Sequence, residues 1–216
     1  MQPATAGSTP LLCLGSANPL ATGQLRRIYQ DPRDPHQIIK VLRPDAVERR
    51  WNGRWYKRLP RARQYTGHVR ELKEYIAACA QAPDRIAPIA RMVGLVPTDL
   101  GLGLVAEKVR GADGGLAPTL AARYAEEGGF STAIERDLAD FVEDLLACNV
   151  IVGDLHAWNI VYGEDSRGGP RFVMVDGFGE KLAIPLTSMS RRYNRHNTLR
   201  RLRRLRLQLP ELVALR

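Results

Sequence analysis

Short runs of strand length, most of them rich in apolar residues and separated by turn-forming residues, dominate the first half of the chain. They fall at residues 11–14, 24–29, 36–42, 91–96 and 101–109. Runs of this length, bounded by Gly, Pro, Asn and Asp, are typical of β-strands. The last two runs are joined by a Pro-Thr-Asp turn, which favours a hairpin. The first half therefore predicts a small antiparallel sheet.

Apolar residues with helical spacing occur in three segments. The segment near residues 69–76 interrupts the predicted strands, and its apolar face consists of Val69, Leu72 and Ile76. A second helix is predicted over residues 118–127. A third covers residues 132–148, and it opens with Thr132 and Glu135, the spacing of a capping box. The buried stripe predicted for this helix is Ile134, Leu138, Phe141 and Leu145.

Beyond the third helix, residues 150–161 have the pattern strand, loop, strand, and residues 172–175 form another apolar run before a glycine-rich bend. The glycine-rich residues 111–115 predict a hinge. A chain of 216 residues fits one domain with a sizeable core. We therefore expect a single α+β domain with an N-terminal lobe over about 1–110 and a reduced helical lobe over 111–216.

Composition narrows the expected location of the protein. The N-terminus lacks a basic, apolar, small-residue signal pattern, and no apolar run approaches the ~18 residues of a membrane-spanning helix. Cys13, Cys79 and Cys148 are odd in number and lie in apolar contexts. We expect all three to be buried thiols in a reducing cytoplasm.

The net charge of +9 is concentrated in two segments, residues 47–73 and residues 191–206. The second holds eight arginines and no acid. Its leucines have helical spacing, at Leu199, Leu202, Leu205 and Leu209. Three uses compete: packing of the leucines on the larger lobe, which we favour, binding to an anionic membrane surface, and binding to nucleic acid, which ranks last without interleaved aromatics. Residues 51–56 combine aromatics with arginine; we expect a lid folded onto the smaller lobe, and recognition of sugar rings or phosphate is the alternative.

The candidate chemistry lies in the loops of the second half. Asp154 and Asn159 stand in the run Gly-Asp-Leu-His-Ala-Trp-Asn, and Asp176 ends the strand that follows. Taken one at a time, such residues are more often turn formers. Together they supply what phosphoryl transfer requires: a carboxylate to accept a proton, and an amide oxygen and a carboxylate for Mg²⁺. The run resembles the catalytic loop of the protein-kinase-like superfamily, most closely its aminoglycoside-phosphotransferase branch.

That resemblance implies a lysine on an upstream strand for the ATP phosphates, and Lys40 lies within the apolar run 36–42. Alone, Lys40 would be better explained as an edge-strand lysine facing water. Its usual partner is a glutamate on the next helix, for which Glu71 is narrowly preferred to Glu74. The loop 15–23 between two predicted strands could cover phosphates through the backbone of Gly15 and Gly23, a weak signal because its spacing is not GxGxxG.

The order of these segments also resembles the PhoP regulatory network protein (YrbL-like) family of bacteria, from about residue 10 to residue 201. Its more specific marks are the hairpin at 98–104 and the bend at 175–179. The resemblance implies a kinase-like two-lobed fold that binds Mg·ATP between Lys40 and Asp176. Adenine would then contact the backbone near Glu107 and Val109.

The sequence departs from protein kinases at two places. Val152 and Gly153 replace the His-Arg pair before Asp154, and Asp176 is followed by Gly-Phe-Gly rather than Phe-Gly. We expect transfer of the ATP γ-phosphoryl group to a hydroxyl of a small-molecule, sugar or lipid-linked acceptor, with Asp154 as base or hydroxyl orienter. His156 would shape the loop or contact the acceptor. The alternative is a pseudokinase, a nucleotide-binding regulatory module without turnover.

Overall fold

A computed structural model describes residues 11–51, 62–180 and 186–214. The described chain is an α+β protein with an antiparallel sheet and several helices, as predicted at that level. It forms two compact units. The first contains the described residues up to Gln64 together with Val93–Ala106. The second contains Tyr65–Met92 and the described residues from Glu107 onward.

A five-stranded sheet organises the first unit, with strand order β1-β2-β3-β5-β4. The strands are β1 (Ala21–Thr22), β2 (Arg26–Gln30), β3 (Gln37–Leu42), β4 (Met92–Thr98) and β5 (Gly101–Glu107). Helix α1 (Pro44–Trp51) follows β3 and was not predicted. The lid predicted for residues 51–56 lies, beyond Trp51, outside the described residues.

Strand β3 is the central strand of this sheet, and its residues 38–41 are buried. Branched and aromatic side chains pack around it in one cluster formed by Leu14, Tyr29, Ile39, Val41, Val96 and Val105. The run at 11–14 makes only an isolated bridge, from Leu12 to Thr98, instead of the predicted strand. Backbone hydrogen bonds join Leu12 to Pro97 and Asp99, at 3.2 and 3.0 Å, and the amides of Leu14 and Gly15 donate to the Asp99 carboxylate, at 2.7 and 2.9 Å.

The described part of the second unit is built from helices and one hairpin. Its elements are α2 (Thr66–Gln81), α3 (Leu120–Glu126), α4 (Thr132–Ala147), β6 (Ile160–Asp165), β7 (Gly168–Met174), α5 (Leu186–Met189) and α6 (Arg191–Ala214). The predicted stripe of α4 is confirmed as core: Ile134, Leu138, Phe141 and Leu145 are all at most 3% exposed. The cap of α4 lies one residue earlier than predicted, because the Ser131 hydroxyl accepts the Ile134 amide at 3.2 Å.

The predicted apolar face of α2 was wrong. Val69 and Ile76 are 61% and 60% exposed, and the buried side chains are His68, Glu71, Glu74 and Ala78. One of these polar side chains has a clear task on the inner face, since the Glu74 carboxylate accepts the buried Ile151 amide. Burial was also predicted wrongly for Cys13 and Cys79, which are exposed, and correctly for Cys148.

Residues 111–115 form a closed turn within the second unit. The Gly111 amide donates to the Gly115 carbonyl at 3.2 Å, and Asp113 accepts the Gly115 amide at 2.9 Å. On either side, Arg110 bridges to Leu116 and to Glu164. Along the chain, the change from one unit to the other therefore falls earlier than this turn, at Ala106 and Glu107.

Helix α6 confirms the helix predicted over the arginine-rich tail. Its buried positions are mixed in character: Asn194, Asn197, Thr198, Leu205 and Leu209. Leu199 and Leu202, assigned to the apolar stripe, are only partly buried. Polar side chains near the start of α6 have hydrogen-bond partners in other segments of the second unit, since Asn194 Nδ2 donates to the Val150 carbonyl at 3.1 Å. None of the helices in the described ranges has the length and apolar composition needed to cross a bilayer.

Candidate active site

Two loops of the second unit pair with each other and carry the candidate catalytic groups. The segment 151–154 runs antiparallel to the segment 177–179, with a bridge between Val152 and Phe178. The Gly179 amide donates to the Ile151 carbonyl and the Asp154 amide to the Gly177 carbonyl, each at 2.7 Å. Residues 150–152 were predicted as a strand, but their pairing is limited to these short contacts.

Asn159 is fixed to Asp154 by its side chain as well as by the fold of the loop. Its side-chain Nδ2 donates to the Asp154 main-chain carbonyl at 3.2 Å, and the Asn159 main-chain carbonyl accepts the Val175 amide at 2.8 Å. The amide nitrogen is therefore turned toward the loop, which leaves Oδ1 as the end available to a ligand. Because Val175 directly precedes Asp176, this hydrogen bond also holds Asn159 next to the start of the second loop.

The two aspartates differ in exposure. Asp154 is exposed, whereas Asp176 is half-buried and accepts the Gly177 amide through Oδ1 at 2.6 Å. The three side chains predicted to share one chemistry thus stand on two loops that are hydrogen-bonded to each other. Asp154 and Asn159 lie five residues apart in the first loop. The β6–β7 hairpin then returns the chain to this loop, so that Asp176 lies on the segment paired with it.

Glycine at position 177 permits this close approach. Gly177 has a φ of +81°, and a Cβ there would lie 2.7 Å from the Asp154 carbonyl oxygen and 2.9 Å from Asn159 Nδ2. Gly179, at φ +90°, leaves room for Arg70, whose Nε donates to the Phe178 carbonyl at 3.3 Å. The two glycines of the Asp-Gly-Phe-Gly bend are therefore required by the backbone geometry.

Glu71 and Glu74, the two candidates on α2, are both buried, at 0% and 6% exposed. Glu74 anchors the candidate catalytic loop, since its Oε1 accepts the Ile151 amide at 2.7 Å. The sequence indicated these glutamates only as possible partners of Lys40. The hydrogen bond from the Ile151 amide to Glu74 was missed. The preference for Glu71 as the partner of Lys40 stays a prediction.

Burial raises the pKa of the Glu74 carboxyl to about 7; the Ile151 hydrogen bond opposes this shift, and the nearby Glu180 adds to it. A folded-state pKa above the unfolded value means that the folded protein holds this proton more tightly. The resulting stability is present at low pH and is lost as the pH rises from about 4.5 toward about 7.

Replacing Glu74 by Gln should remove this pH dependence while keeping an acceptor for Ile151. Relative to the wild type, the variant should gain about 2–3 kcal/mol of unfolding free energy between pH ~5 and pH ~8. Urea unfolding at the two pH values measures this, with the exposed Glu126→Gln as control. Equal pH slopes for Glu74→Gln and wild type would show that Glu74 does not titrate in this range.

Two further candidate residues, Lys40 and Gly23, lie in the first unit. Lys40 lies in the middle of β3, opposite Ile28, and is only 2% exposed, so the explanation as an edge lysine facing water is excluded. The Gly23 amide closes the turn after β1 on the Arg26 carbonyl at 2.8 Å. Lys40 and Gly23 belong to the first unit and the catalytic loops to the second.

Glu107 and Val109 belong to the second unit. The Glu107 carboxylate accepts the amide and hydroxyl of Ser166 at 2.6 and 2.9 Å, which ties it to the β6–β7 turn. The Val109 carbonyl accepts the Ala117 amide at 3.0 Å. The contact of these two residues with adenine stays a prediction.

The donor set suits Mg²⁺. Asp176 and Asn159 offer one carboxylate and one amide oxygen, hard ligands of the kind that Mg²⁺ takes while keeping water or phosphate oxygens in its other positions. Among the described residues, no group of three or more His, Cys, Asp or Glu side chains is placed to hold a metal.

The loops that carry Asp154, Asn159 and Asp176 pair with each other on an α+β scaffold and form the candidate site. The chain matches the family described as PhoP regulatory network protein YrbL over residues 12–210. It therefore belongs to the PhoP regulatory network protein YrbL family, as its sequence pattern suggested.

Two bacterial relatives are similar over most of their length. One is the Escherichia coli (strain K12) protein named "Uncharacterized protein YrbL", 27% identical over an alignment of 189 residues that covers 84% of this chain and 80% of that protein. The Shigella flexneri protein of the same name matches with the same identity and coverage. These names carry no statement of activity, so the function has to be inferred from the site.

Proposed function

We propose that this protein is a kinase-like phosphotransferase that moves the γ-phosphoryl group of ATP to a hydroxyl of a small-molecule, sugar or lipid-linked acceptor. The observation that carries the proposal is the hydrogen-bonded pairing of the loops that bear Asp154, Asn159 and Asp176. A lysine buried in a central strand of the other unit supports it, because an ammonium group in such a place requires anionic partners. The order of sheet, helices and hairpin supports a kinase-like fold.

In this scheme each residue has a defined task. Asp154 accepts or orients the acceptor's hydroxyl proton while the hydroxyl oxygen bonds to the γ-phosphorus and the bond to the ADP leaving group breaks. Asn159 and Asp176 would hold Mg²⁺, which neutralises phosphate charge when bound. Lys40 binds phosphate oxygens, with Glu71 as its anchor. The exposed position of Asp154 suits a group that must meet an acceptor from solvent.

Calorimetric titration with ATP tests the binding half of this proposal. We expect saturable binding in Mg²⁺ and markedly weaker binding in EDTA, because the two oxygen ligands of the protein act on the phosphates through the cation. Asp140→Asn, an exposed change on α4, is the matched control and should bind as the wild type does. No heat at millimolar Mg·ATP would reject both the kinase and the pseudokinase alternative.

We also propose that the solvent-facing side of α6 docks on an anionic membrane surface. This side carries Arg192, Arg200, Arg203 and Arg204, all exposed. Two apolar or aromatic side chains project from the same side, Leu207 at 76% and Tyr193 at 44% exposure. Arginine alternating with exposed Leu and Tyr is typical of helices that lie at a lipid interface. An acceptor attached to lipid would be reached from such a position.

Changing Arg203 and Arg204 to Gln should leave the unfolding free energy within ~0.5 kcal/mol, because both side chains are exposed. Binding to vesicles with acidic lipids should weaken by about 1 kcal/mol per charge and lose part of its salt sensitivity. The matched control removes two exposed arginines elsewhere in the unit, Arg85 and Arg136. Equal losses in both double variants would mean that net charge, and not α6, attracts the vesicles.

A further inference from the structure

Helix α6 runs alongside the catalytic segment of the second unit. Near its start, the Asn194 side chain donates to the Val150 carbonyl at 3.1 Å. Farther along, Leu205 and Leu209 share a small cavity with Leu155. The same side of the helix therefore follows the chain from residue 150 past Asp154 to residue 157.

Arg201 lies on this side of α6, one helical turn before Leu205. It is half-buried, and its Nε is buried without a hydrogen bond to any described residue. Burial lowers the pKa of Arg201, and the field of Asp154 opposes that shift. Glu180 acts in the same sense as Asp154. Arg201 thus lies on the side of α6 that packs along the segment carrying the proposed base.

A guanidinium remains charged at any physiological pH, so partial burial is costly unless an anion pairs with it. Its planar fork matches the two oxygens of a phosphate or carboxylate. The protein already places a buried Nε on the side of α6 that packs along the segment carrying Asp154, where the acceptor hydroxyl has to lie in the proposed reaction. An anionic group on the acceptor would complete the hydrogen bonding of Arg201.

We propose that Arg201 binds an oxyanion group, phosphate or carboxylate, on the acceptor and so positions the acceptor hydroxyl at Asp154. This inference rests on the proposed function for the role of Asp154, and it adds the substrate class. The acceptor is then an anionic hydroxyl compound, and neutral sugars or cationic aminoglycoside-like compounds are poor substrates.

Anion binding by the full-length protein in EDTA, without nucleotide, tests this inference. Inorganic phosphate and acetate are titrated separately, with amide chemical shifts or melting temperature as the readout. At least one of the two should bind the wild type, and Arg201→Gln should weaken that binding at least ~10-fold. Arg201→Lys, which keeps the charge but loses the fork, should fall between them. Whichever anion binds more tightly identifies the acceptor group.

Two further variants make the result specific. Arg195→Gln removes an exposed arginine of the same helix and should bind as the wild type does. Asp154→Asn should bind the anion more tightly, because it removes a neighbouring negative charge. The inference is overturned if neither anion binds, if Arg201→Gln binds normally, or if Arg195→Gln loses as much. Mg·ATP titration is independent of these outcomes, so failure here leaves the proposed nucleotide site standing.

Discussion

Replacing Asp154 by Asn should lower ATP turnover by ~10²-fold or more, the scale of a lost general base, while ATP affinity stays nearly unchanged. The substitution keeps the size of the side chain and removes its charge. Two hydrogen bonds that hold the loop use main-chain atoms of Asp154. Its amide donates to the Gly177 carbonyl, and its carbonyl accepts Asn159 Nδ2. The loop should therefore keep its conformation in the variant.

Release of ADP, with and without candidate acceptors, measures this effect. Asp140→Asn serves again as the control for an exposed aspartate. If the wild type binds Mg·ATP but releases no ADP with any acceptor, the pseudokinase alternative is favoured. If Asp154→Asn turns over as fast as the wild type, Asp154 is not the base and the assignment of the catalytic loop is wrong.

Gly177→Ala should damage the site and destabilise the second unit together. The positive φ costs an L-residue about 1–2 kcal/mol. Overlap of the new methyl group with the Asp154 carbonyl and Asn159 Nδ2 adds about 1–3 kcal/mol and pushes the two loops apart. Loss of Mg·ATP binding should accompany the loss of stability, because Asn159 and Asp176 flank this contact.

Two other glycines serve as controls that separate the cost of a positive φ from the cost of steric overlap. Gly128 has a φ of +69°, and a methyl group added there would meet no atom within 4 Å, so Gly128→Ala reports backbone strain alone. Gly169 has neither a positive φ nor a close neighbour, and Gly169→Ala should be nearly neutral. Urea unfolding of the three variants should rank them Gly177, Gly128, Gly169. A Gly177→Ala loss no larger than that of Gly128→Ala would contradict the tight loop contact.

Elements with strong periodicity could be predicted from the sequence. The stripe of α4 repeats at helical spacing and is buried throughout, and β3 is an apolar run whose one charge, Lys40, lies in the strand as expected. The loop residues Asp154 and Asn159 were found because their motif is local. Asp176 could be added because the strand before it is apolar and its bend is rich in glycine.

Polar burial defeated the same reasoning. On α2 the hydrophobic pattern pointed to Val69 and Ile76, but the inward face carries Glu71 and Glu74. A pattern of apolar positions cannot show that a buried amide at Ile151 needs a carboxylate partner. Only the fold brings those two segments, far apart in sequence, together.

Arg201 could not be singled out among eight arginines of one segment for a similar reason. Its neighbours Arg200 and Arg204 are exposed, and nothing in the local sequence separates it from them. The distinction depends on which side of α6 faces the catalytic segment, and that is set by contacts such as Asn194 to Val150.

In the proposed function, Asp176 and Asn159 hold a cation on the phosphates of ATP. The most direct measurement is the melting temperature of the wild type and of Asp176→Asn, each with ATP in Mg²⁺ and in EDTA. For the wild type, ATP at about 100 times its dissociation constant should add ~2.7 kcal/mol of stability in Mg²⁺ and less in EDTA. Asp176→Asn should lose most of the Mg²⁺-dependent part. An equal ATP shift in Mg²⁺ and EDTA, or an unchanged shift in Asp176→Asn, would contradict this assignment.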